Sequence, residues 1–304
     1  MPRLSLLLDL DVHEFAIEPL EFWGASSRVS SLSSPQRPDS RIICGLNHPQ
    51  ANPHGGAPIM SHRSRWTSLL FAAAAIAATI FSGQPVAAEV LDKTAEISGT
   101  KLDYKVILPN GYDAAKAYPA ILAFGGGPQT MDMVEATLKR NWREQAETLG
   151  YIVILPAAPN GDLFFESGDR VFPAFIVKIL GDYKIQQNKL HIAGVSNGGL
   201  SAFHIASLYP QYFWSVTGLP GFLDDASPEH VRALAKLCVY MYAGEMDQGW
   251  LQSEKAQSAK FKSQGYTVEF NEERGEGHVM RTLDGKGAAR LFKQFEQARQ
   301  GCGK

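Results

Sequence analysis

The sequence predicts an α/β fold: a mostly parallel, doubly wound sheet of about seven or eight strands with helices on both faces. Strand-like and helix-like segments alternate along residues 89–304, which is typical of parallel strands joined by helical crossovers. Several strands are uninterrupted apolar runs, such as YIVILPAAPN at 151–160, as expected for strands that are buried on both faces. The sequence of 89–304 contains neither an internal repeat nor a linker-like stretch, so we expect a single domain there.

The elements are recognised in chain order, the strands by β-forming runs and the helices by apolar spacing near 3.6 residues. Strands are expected at 89–99, 101–113, 118–127, 151–160, 189–195, 213–221, 237–244 and 266–273. Helices are expected at 131–150, 173–183, 198–209, 227–236 and 288–300.

Turn and capping residues support several of these boundaries. The second strand ends in a turn that begins at Pro109, and Gly150 suits the C-cap of the first helix. Pro210 stops the third helix. Ser227 is a suitable N-cap for the fourth helix, with Pro228 at its first position.

The N-terminal part of the chain is different and resembles a secretory signal at 60–88. A basic stretch, MSHRSRW, precedes an apolar run at 67–81, and a small-residue stretch then ends at Ala88. The apolar run is shorter than the ~20 residues that a membrane span needs. We therefore expect cleavage after Ala88, a secreted or periplasmic protein, and no stable membrane anchor; an uncleaved signal anchor is the alternative.

The segment 1–59 precedes this signal and is rich in Ser, Pro and Arg without sustained periodicity. A secretory signal belongs at an N-terminus, so Met60 is the expected start of translation. Residues 1–59 are then either an upstream mistranslation or a disordered extension.

Charge and cysteine content restrict the possible partners and compartment. The formal net charge of −2 gives no indication of a nucleic-acid partner. Two of the three cysteines, Cys238 and Cys302, lie in the exported part of the chain. Cys238 begins a strand and Cys302 follows the closing helix, so both are expected at the same edge of the sheet, where a disulfide is permitted.

A candidate nucleophile lies in the stretch GVSNG at 194–198, which fits the pattern G-x-S-x-G. The stretch joins a predicted strand to a predicted helix, which is the context of a nucleophile elbow. Such a sharp turn strains the serine backbone and leaves no room for side chains at the flanking positions. The pattern therefore predicts that Ser196 projects above the carboxyl edge of the sheet.

A serine needs a base, and His278 is the best placed histidine. It lies in the glycine-rich stretch RGEGHVM, between the last strand and the closing helix. The base is expected in a loop at this edge of the sheet. The rise per residue of a strand places His191 about 16 Å from Ser196, and that of a helix places His204 about 12 Å away. His230 comes before Asp247, the preferred acid, in the chain.

Four carboxylates are candidates for the acid that orients the base. Asp247 follows the strand 237–244 and is preferred, because it lies at the carboxyl edge of the sheet. Glu245 lies nearer to the end of the same strand. Asp224 and Asp225 follow the preceding strand and are the main rivals.

An oxyanion hole requires backbone N–H groups that point at the substrate carbonyl oxygen. The N–H of Asn197, directly after the nucleophile, is the first expected donor. The second is expected from the glycine loop after the strand 118–127, with Gly126 preferred over Gly125. A phosphate loop is excluded, because no G-K-[ST] follows these glycines.

With these residues in place, the chain resembles the α/β-hydrolase superfamily over essentially all of 89–304. The stretch AGVSNGG at 193–199 and the compact size are similar to secreted esterases of the polyhydroxybutyrate depolymerase, feruloyl esterase and carboxylesterase/phospholipase-like branch. Phe124 stands where that group often has histidine. The resemblance implies hydrolysis of a carboxylic ester, small or polymeric, through an acyl-serine, without a metal or cofactor.

Two other functions stay open: a serine peptidase of the same fold and a catalytically idle binding protein. The substrate pocket is also open to two interpretations. The aromatic segment 157–175, together with Trp250 and Met280, could form an apolar pocket for the acyl or aryl group, or could equally be core packing.

Overall fold

The computed structural model describes residues 87–302. The predictions for 1–59, and those for the signal segment up to residue 86, concern residues outside this described part.

One sheet of eight strands forms the centre of the domain. The strands are β1 Glu89–Ile97, β2 Thr100–Leu108, β3 Ala120–Phe124, β4 Ile152–Pro156, β5 Leu190–Gly194, β6 Phe213–Gly218, β7 Cys238–Gly244 and β8 Val268–Glu273. Their spatial order is β1-β2-β4-β3-β5-β6-β7-β8. β2 pairs antiparallel with β1 and β4, and β3 to β8 run parallel. The predicted fold class and strand number are confirmed.

Helices cover both faces of this sheet. They are α1 Met131–Thr137, α2 Arg143–Leu149, α3 Ala174–Asp182, α4 Asn197–Leu208, α5 Pro228–Ala233, α6 Gln248–Ser263 and α7 Ala289–Arg299. Alternate residues of β3 enter two separate hydrophobic clusters: Leu122 packs in one and Ile121 in the other. The central strands β3, β4 and β5 are therefore buried on both faces, which explains their uninterrupted apolar sequences.

α6 is the one α-helix of the described chain that the sequence patterns did not predict. Its buried positions are Leu251, Glu254, Ser258 and Phe261, at the three- and four-residue spacing of a helix face. Two of these four side chains are polar, so the apolar pattern that would have revealed the helix is incomplete.

The long helix predicted at 131–150 is interrupted by a π turn at Leu138–Trp142, between α1 and α2. Buried side chains recur here in pairs every four residues, at 137–138, 141–142 and 145–146. An α-helix turns by about 400° in four residues, so such pairs drift by about 40° per repeat. The wider turn takes up this drift, and the Trp142 ring stays packed in the core.

The closing helix is tied to β7, the strand beside β8 at one edge of the sheet. Cys238, the first residue of β7, forms a disulfide with Cys302, three residues after α7 ends, with 5.6 Å between their Cα atoms. Both cysteines lie at the edge that was expected. Among the helices of the described chain, none has the length and apolar character to span a membrane.

Candidate active site

A sharp backbone turn lies at Ser196, between β5 and α4. Ser196 has φ 57° and ψ −121°, a strained combination for a residue with a side chain. A Cβ on Gly194 would overlap the carbonyl of Gly198. A Cβ on Gly198 would lie 2.5 Å from the carbonyl oxygens of Phe124 and Gly125. Sterics therefore require glycine on both sides of the serine, as predicted.

Ser196, His278 and Asp247 form a continuous hydrogen-bonded chain. His278 Nε2 lies 2.7 Å from Ser196 Oγ, and His278 Nδ1 lies 2.6 Å from Asp247 Oδ2. A carboxylate only accepts, so Nδ1–H donates to Asp247 and Nε2 accepts from the serine hydroxyl. The three residues follow β5, β7 and β8, whose carboxyl ends meet at one edge of the sheet. The His278 side chain is 42% exposed and that of Asp247 17%, so the imidazole is open to solvent and the carboxylate is mostly buried.

The other three candidate acids, Glu245, Asp224 and Asp225, do not contact His278. The carboxylate of Glu245 accepts the N–H of Gly275 at 2.7 Å, which holds the loop that carries His278. Asp225 lies 2.9 Å from His230 Nδ1, and Asp224 is exposed on the same loop. Of the four candidates, Asp247 is the one in contact with His278.

Two other histidines lie in separate environments. His191 is fully buried, with Nδ1 2.8 Å from Ser215 Oγ. Burial, with the charge of Arg299, lowers the pKa of His191 to about 3, so its ring is neutral in the folded protein. His204 pairs with Asp169 at 2.9 Å. Neither ring contacts Ser196.

The glycine loop after β3 lies against the elbow. A Cβ added to Gly126 would lie 3.5 Å from Ser196 Cβ, whereas one added to Gly125 would meet the backbone of Met133 at 3.1 Å. Within residues 87–302, the N–H groups of Asn197 and Gly126 donate to no protein acceptor. Of these two glycines, Gly126 is thus the one next to Ser196, and its amide and that of Asn197 remain open to a ligand.

Two polar side chains that the sequence analysis missed connect this loop to its surroundings. The amide of Asn197 donates to the carbonyl of Gly127 at 3.0 Å, which ties the elbow to the glycine loop. Gln129 is fully buried; its amide nitrogen donates to Ser201 Oγ at 2.8 Å and its amide oxygen accepts the N–H of Phe164 at 3.0 Å. A single glutamine carries no spacing signal, so sequence patterns could not have found it.

The residues considered for an apolar pocket separate into two groups. Phe164, Phe172 and Met280 are buried in the hydrophobic core, with Phe164 packed against Phe124 at 5.1 Å between ring centroids. Trp250 instead lies beside His278, with 5.4 Å between the ring centroids. Phe164, Phe172 and Met280 therefore belong to the core, and Trp250 is the one of these residues that contacts His278.

Two large apolar side chains next to this chain of three residues are exposed. Met246 is adjacent to Asp247, and Val279 is adjacent to His278. Within residues 87–302, no group of three or more His, Cys, Asp or Glu side chains is arranged to hold a metal ion.

This strand order, with a serine elbow after β5, an aspartate after β7 and a histidine after β8, defines the α/β-hydrolase fold. The chain has that fold, and solved structures agree. A thermostable esterase superposes with a TM-score of 0.52 at 17% identity, over 70% of this chain and 62% of that one. A ferulic acid esterase gives 0.53 at 16% identity, over 71% and 98% of the two chains. The S-formylglutathione hydrolase of Agrobacterium tumefaciens gives 0.54 at 16%, over 69% and 95%.

Among curated proteins, the chain is similar to Dipeptidyl-peptidase 5 of Porphyromonas endodontalis. The two are 30% identical over 128 residues, which is 38% of this chain. The matched part spans only 18% of the length of the peptidase. No protein-family model matches the chain.

Proposed function

We propose that the protein is a serine hydrolase that cleaves carboxylic esters through an acyl-serine intermediate. The observation that carries this proposal is the chain from Ser196 through His278 to Asp247, with distances of 2.7 and 2.6 Å. A serine hydroxyl is weakly nucleophilic unless a base within hydrogen-bond distance removes its proton. The open amides of Asn197 and Gly126 supply donors for the developing oxyanion.

The geometry supports the following sequence of events. His278 Nε2 takes the hydroxyl proton as Ser196 Oγ attacks the ester carbonyl, and the Asp247 carboxylate stabilises the imidazolium that forms. The tetrahedral oxyanion accepts from the two open amides. His278 then returns the proton to the leaving alcohol, and water repeats the cycle on the acyl-serine.

Ester cleavage is proposed on the combined weight of the sequence and the site. The elbow stretch resembles secreted esterases, and the superposed structures include a ferulic acid esterase. Trp250 lies beside His278, and the exposed residues Met246 and Val279 are adjacent in sequence to Asp247 and His278. We propose these three side chains as the apolar surface for an acyl or aryl group. Because the His278 imidazole is open to solvent, we propose both small-molecule and polymeric esters as substrates.

Peptide hydrolysis is the second candidate, favoured by the stretch of 30% identity to Dipeptidyl-peptidase 5. The same three side chains would attack a peptide bond, with His278 protonating an amine in place of an alcohol. Rates on substrates that differ only in the leaving group separate the two functions.

The test uses p-nitrophenyl esters of two to twelve carbons, a feruloyl ester and dipeptide anilides. Ester hydrolysis is expected to exceed anilide hydrolysis, and Ser196→Ala is expected to lower kcat by at least about 10³-fold. The matched control is Ser258→Ala, a buried serine in α6 whose hydroxyl donates to the carbonyl of Lys255. Equal turnover by wild type and Ser196→Ala would refute the proposed nucleophile.

We also propose that the chain is exported and cleaved after Ala88. β1 begins at Glu89, so cleavage there removes nothing from the sheet. The Cys238–Cys302 disulfide suits an oxidising compartment. N-terminal sequencing of protein from the periplasm or medium of a bacterial host is expected to begin at Glu89. An intact signal segment on membrane-bound protein would support the signal anchor instead.

A further inference from the structure

One peptide unit in the loop after β6 supports the backbone of the nucleophile. The N–H of Ser196 donates to the carbonyl of Pro220 at 2.9 Å. The N–H of the next residue, Gly221, donates to the Glu254 carboxyl Oε1 at 2.6 Å. The peptide between Pro220 and Gly221 is therefore held at one end by the elbow and at the other by a side chain of α6.

The loop packs on the first turn of α4 without an intervening side chain. A Cβ on Gly199 would overlap the Pro220 carbonyl, and it would lie 2.6 Å from the Cα of Gly221. Backbone lies directly on backbone, so displacement of the loop displaces the turn at Ser196. That turn is strained, and a strained conformation persists only where its surroundings hold it.

Glu254 is unusual for a residue with this structural role. It is fully buried, and its Oε2 has no hydrogen-bond partner within the described residues. Burial raises the pKa of Glu254 well above its ordinary 4.5; the Gly221 N–H opposes this, and the charge of Asp247 adds to it. A buried carboxyl with one unpaired oxygen is costly, and such groups call for an explanation.

The helix that carries Glu254 contacts both His278 and the loop after β6. α6 starts directly after Asp247, and Trp250 in its first turn lies between His278 and Phe222. One turn beyond Glu254, the amide of Gln257 forms two hydrogen bonds with the backbone of Leu223, at 2.9 and 2.8 Å. α6 thus connects the acid and the base to the loop that supports the nucleophile.

We propose that Glu254 is a positioning residue for the nucleophile. By accepting the Gly221 N–H it fixes the Pro220 carbonyl, and through that carbonyl the direction of Ser196 relative to His278. The inference rests on the proposed role of Ser196 as nucleophile. Glu254 acts through a peptide unit and does not touch the substrate.

Two variants of similar size separate the acceptor from the volume of the side chain. Glu254→Gln keeps an oxygen that accepts the Gly221 N–H, whereas Glu254→Met removes it. Glu254→Gln is expected to retain kcat within about threefold. Glu254→Met is expected to lower kcat on a p-nitrophenyl ester by about 10- to 100-fold with KM within about twofold, because misplacement by 1 Å can cost about 10²-fold.

A matched variant controls for loss of stability. Phe261→Leu leaves a cavity in the same helix without touching the loop, so it is expected to lower Tm and leave kcat unchanged at 25 °C. Amide hydrogen exchange provides a second readout that does not depend on activity. Exchange at Ser196, whose N–H donates to the Pro220 carbonyl, is expected to accelerate in Glu254→Met and to stay at the wild-type rate in Glu254→Gln and Phe261→Leu.

Wild-type kcat and exchange rates in Glu254→Met would overturn the inference. So would a loss of kcat in Phe261→Leu that equals the loss in Glu254→Met at the same Tm. A wild-type protein that fails to react with a fluorophosphonate and hydrolyses no ester would refute the proposed function instead. In that case the exchange rate at Ser196 alone decides whether Glu254 holds the backbone.

Discussion

The indole of Trp250 lies beside the imidazole of His278, with 5.4 Å between ring centroids and the planes at 58°. Its other neighbour is Phe222, at 5.3 Å. Trp250 therefore limits the positions that the exposed imidazole can adopt, and its ring is within the distance at which an aromatic group stabilises a cation.

Trp250→Leu is accordingly expected to lower kcat. In the proposed mechanism an imidazolium forms as the serine attacks, and a cation–π contact contributes about 0.5–2 kcal/mol, which corresponds to about 2- to 30-fold in rate. Trp214→Leu is the control, because Trp214 lies on β6 under Lys189. Steady-state kinetics of the two variants check the prediction, and equal losses in both would contradict it.

Substitution of each carboxylate by its amide is expected to distinguish the contributions of Asp247 and Glu245 to kcat. Asp247→Asn removes the charge that orients His278 and is expected to lower kcat by about 10⁴-fold, the size of effect known for this change in serine proteases. Glu245→Gln keeps an oxygen for the Gly275 N–H and is expected to stay within about threefold of wild type. A larger loss in Glu245→Gln than in Asp247→Asn would exclude the proposed acid.

The stability of the fold is expected to depend on pH through Glu254. Its pKa is raised in the folded state, so from pH 4.5 upward the unfolded chain releases this proton before the folded chain does. The contribution of Glu254 to stability is thus complete below about pH 4.5 and is lost as pH rises, by at most about 1.4 kcal/mol per pH unit.

Urea unfolding of Glu254→Gln and wild type between pH 4 and pH 8 measures this loss. The variant, which has no proton to release, is expected to gain stability relative to wild type as pH increases. Glu229→Gln, at an exposed position in α5, is the control and should show a constant difference. If the stability difference between Glu254→Gln and wild type were also constant with pH, the pKa of the Glu254 carboxyl would not be raised by folding.

Reduction of the Cys238–Cys302 disulfide is expected to destabilise the domain. The bridge spans a sequence separation of 64 residues, and a loop of that length corresponds to about 4 kcal/mol in the chain-entropy treatment. Urea unfolding with and without reductant is the measurement, and a Cys238→Ala, Cys302→Ala variant should show no effect of reductant. Peptide mapping without reduction that finds both thiols free would contradict the bridge.

The elbow was predictable because its signal is local and steric. Gly194 and Gly198 are required by atoms a few residues away or on the adjacent strand, so the sequence spacing itself carries the geometry. The choice of acid was less determined, because every loop after a strand contains carboxylates and sequence does not reveal how far each can reach. The folded structure distinguishes them, because the Glu245 carboxylate accepts the Gly275 N–H whereas the Asp247 carboxylate contacts His278.

The residues that sequence analysis missed act alone and not in patterns. Gln129 and Glu254 each connect loops that are distant in sequence, through hydrogen bonds of single side chains. α6 was missed for a related reason: its inward face carries Glu254 and Ser258, so an amphipathic pattern is not visible. The aromatic segment 157–175 was ambiguous because apolar side chains look the same in sequence whether they line a pocket or fill a core.

The π turn between α1 and α2 contains one residue more than an unbroken helix would need. Deletion of Lys139 or Arg140, which are both exposed, would leave inward positions spaced by three and four residues, as a regular α-helix requires. An additional residue would instead rotate Trp142 by roughly 100° away from the sheet. Homologous chains are therefore expected to vary in length at this helix by deletion and not by insertion.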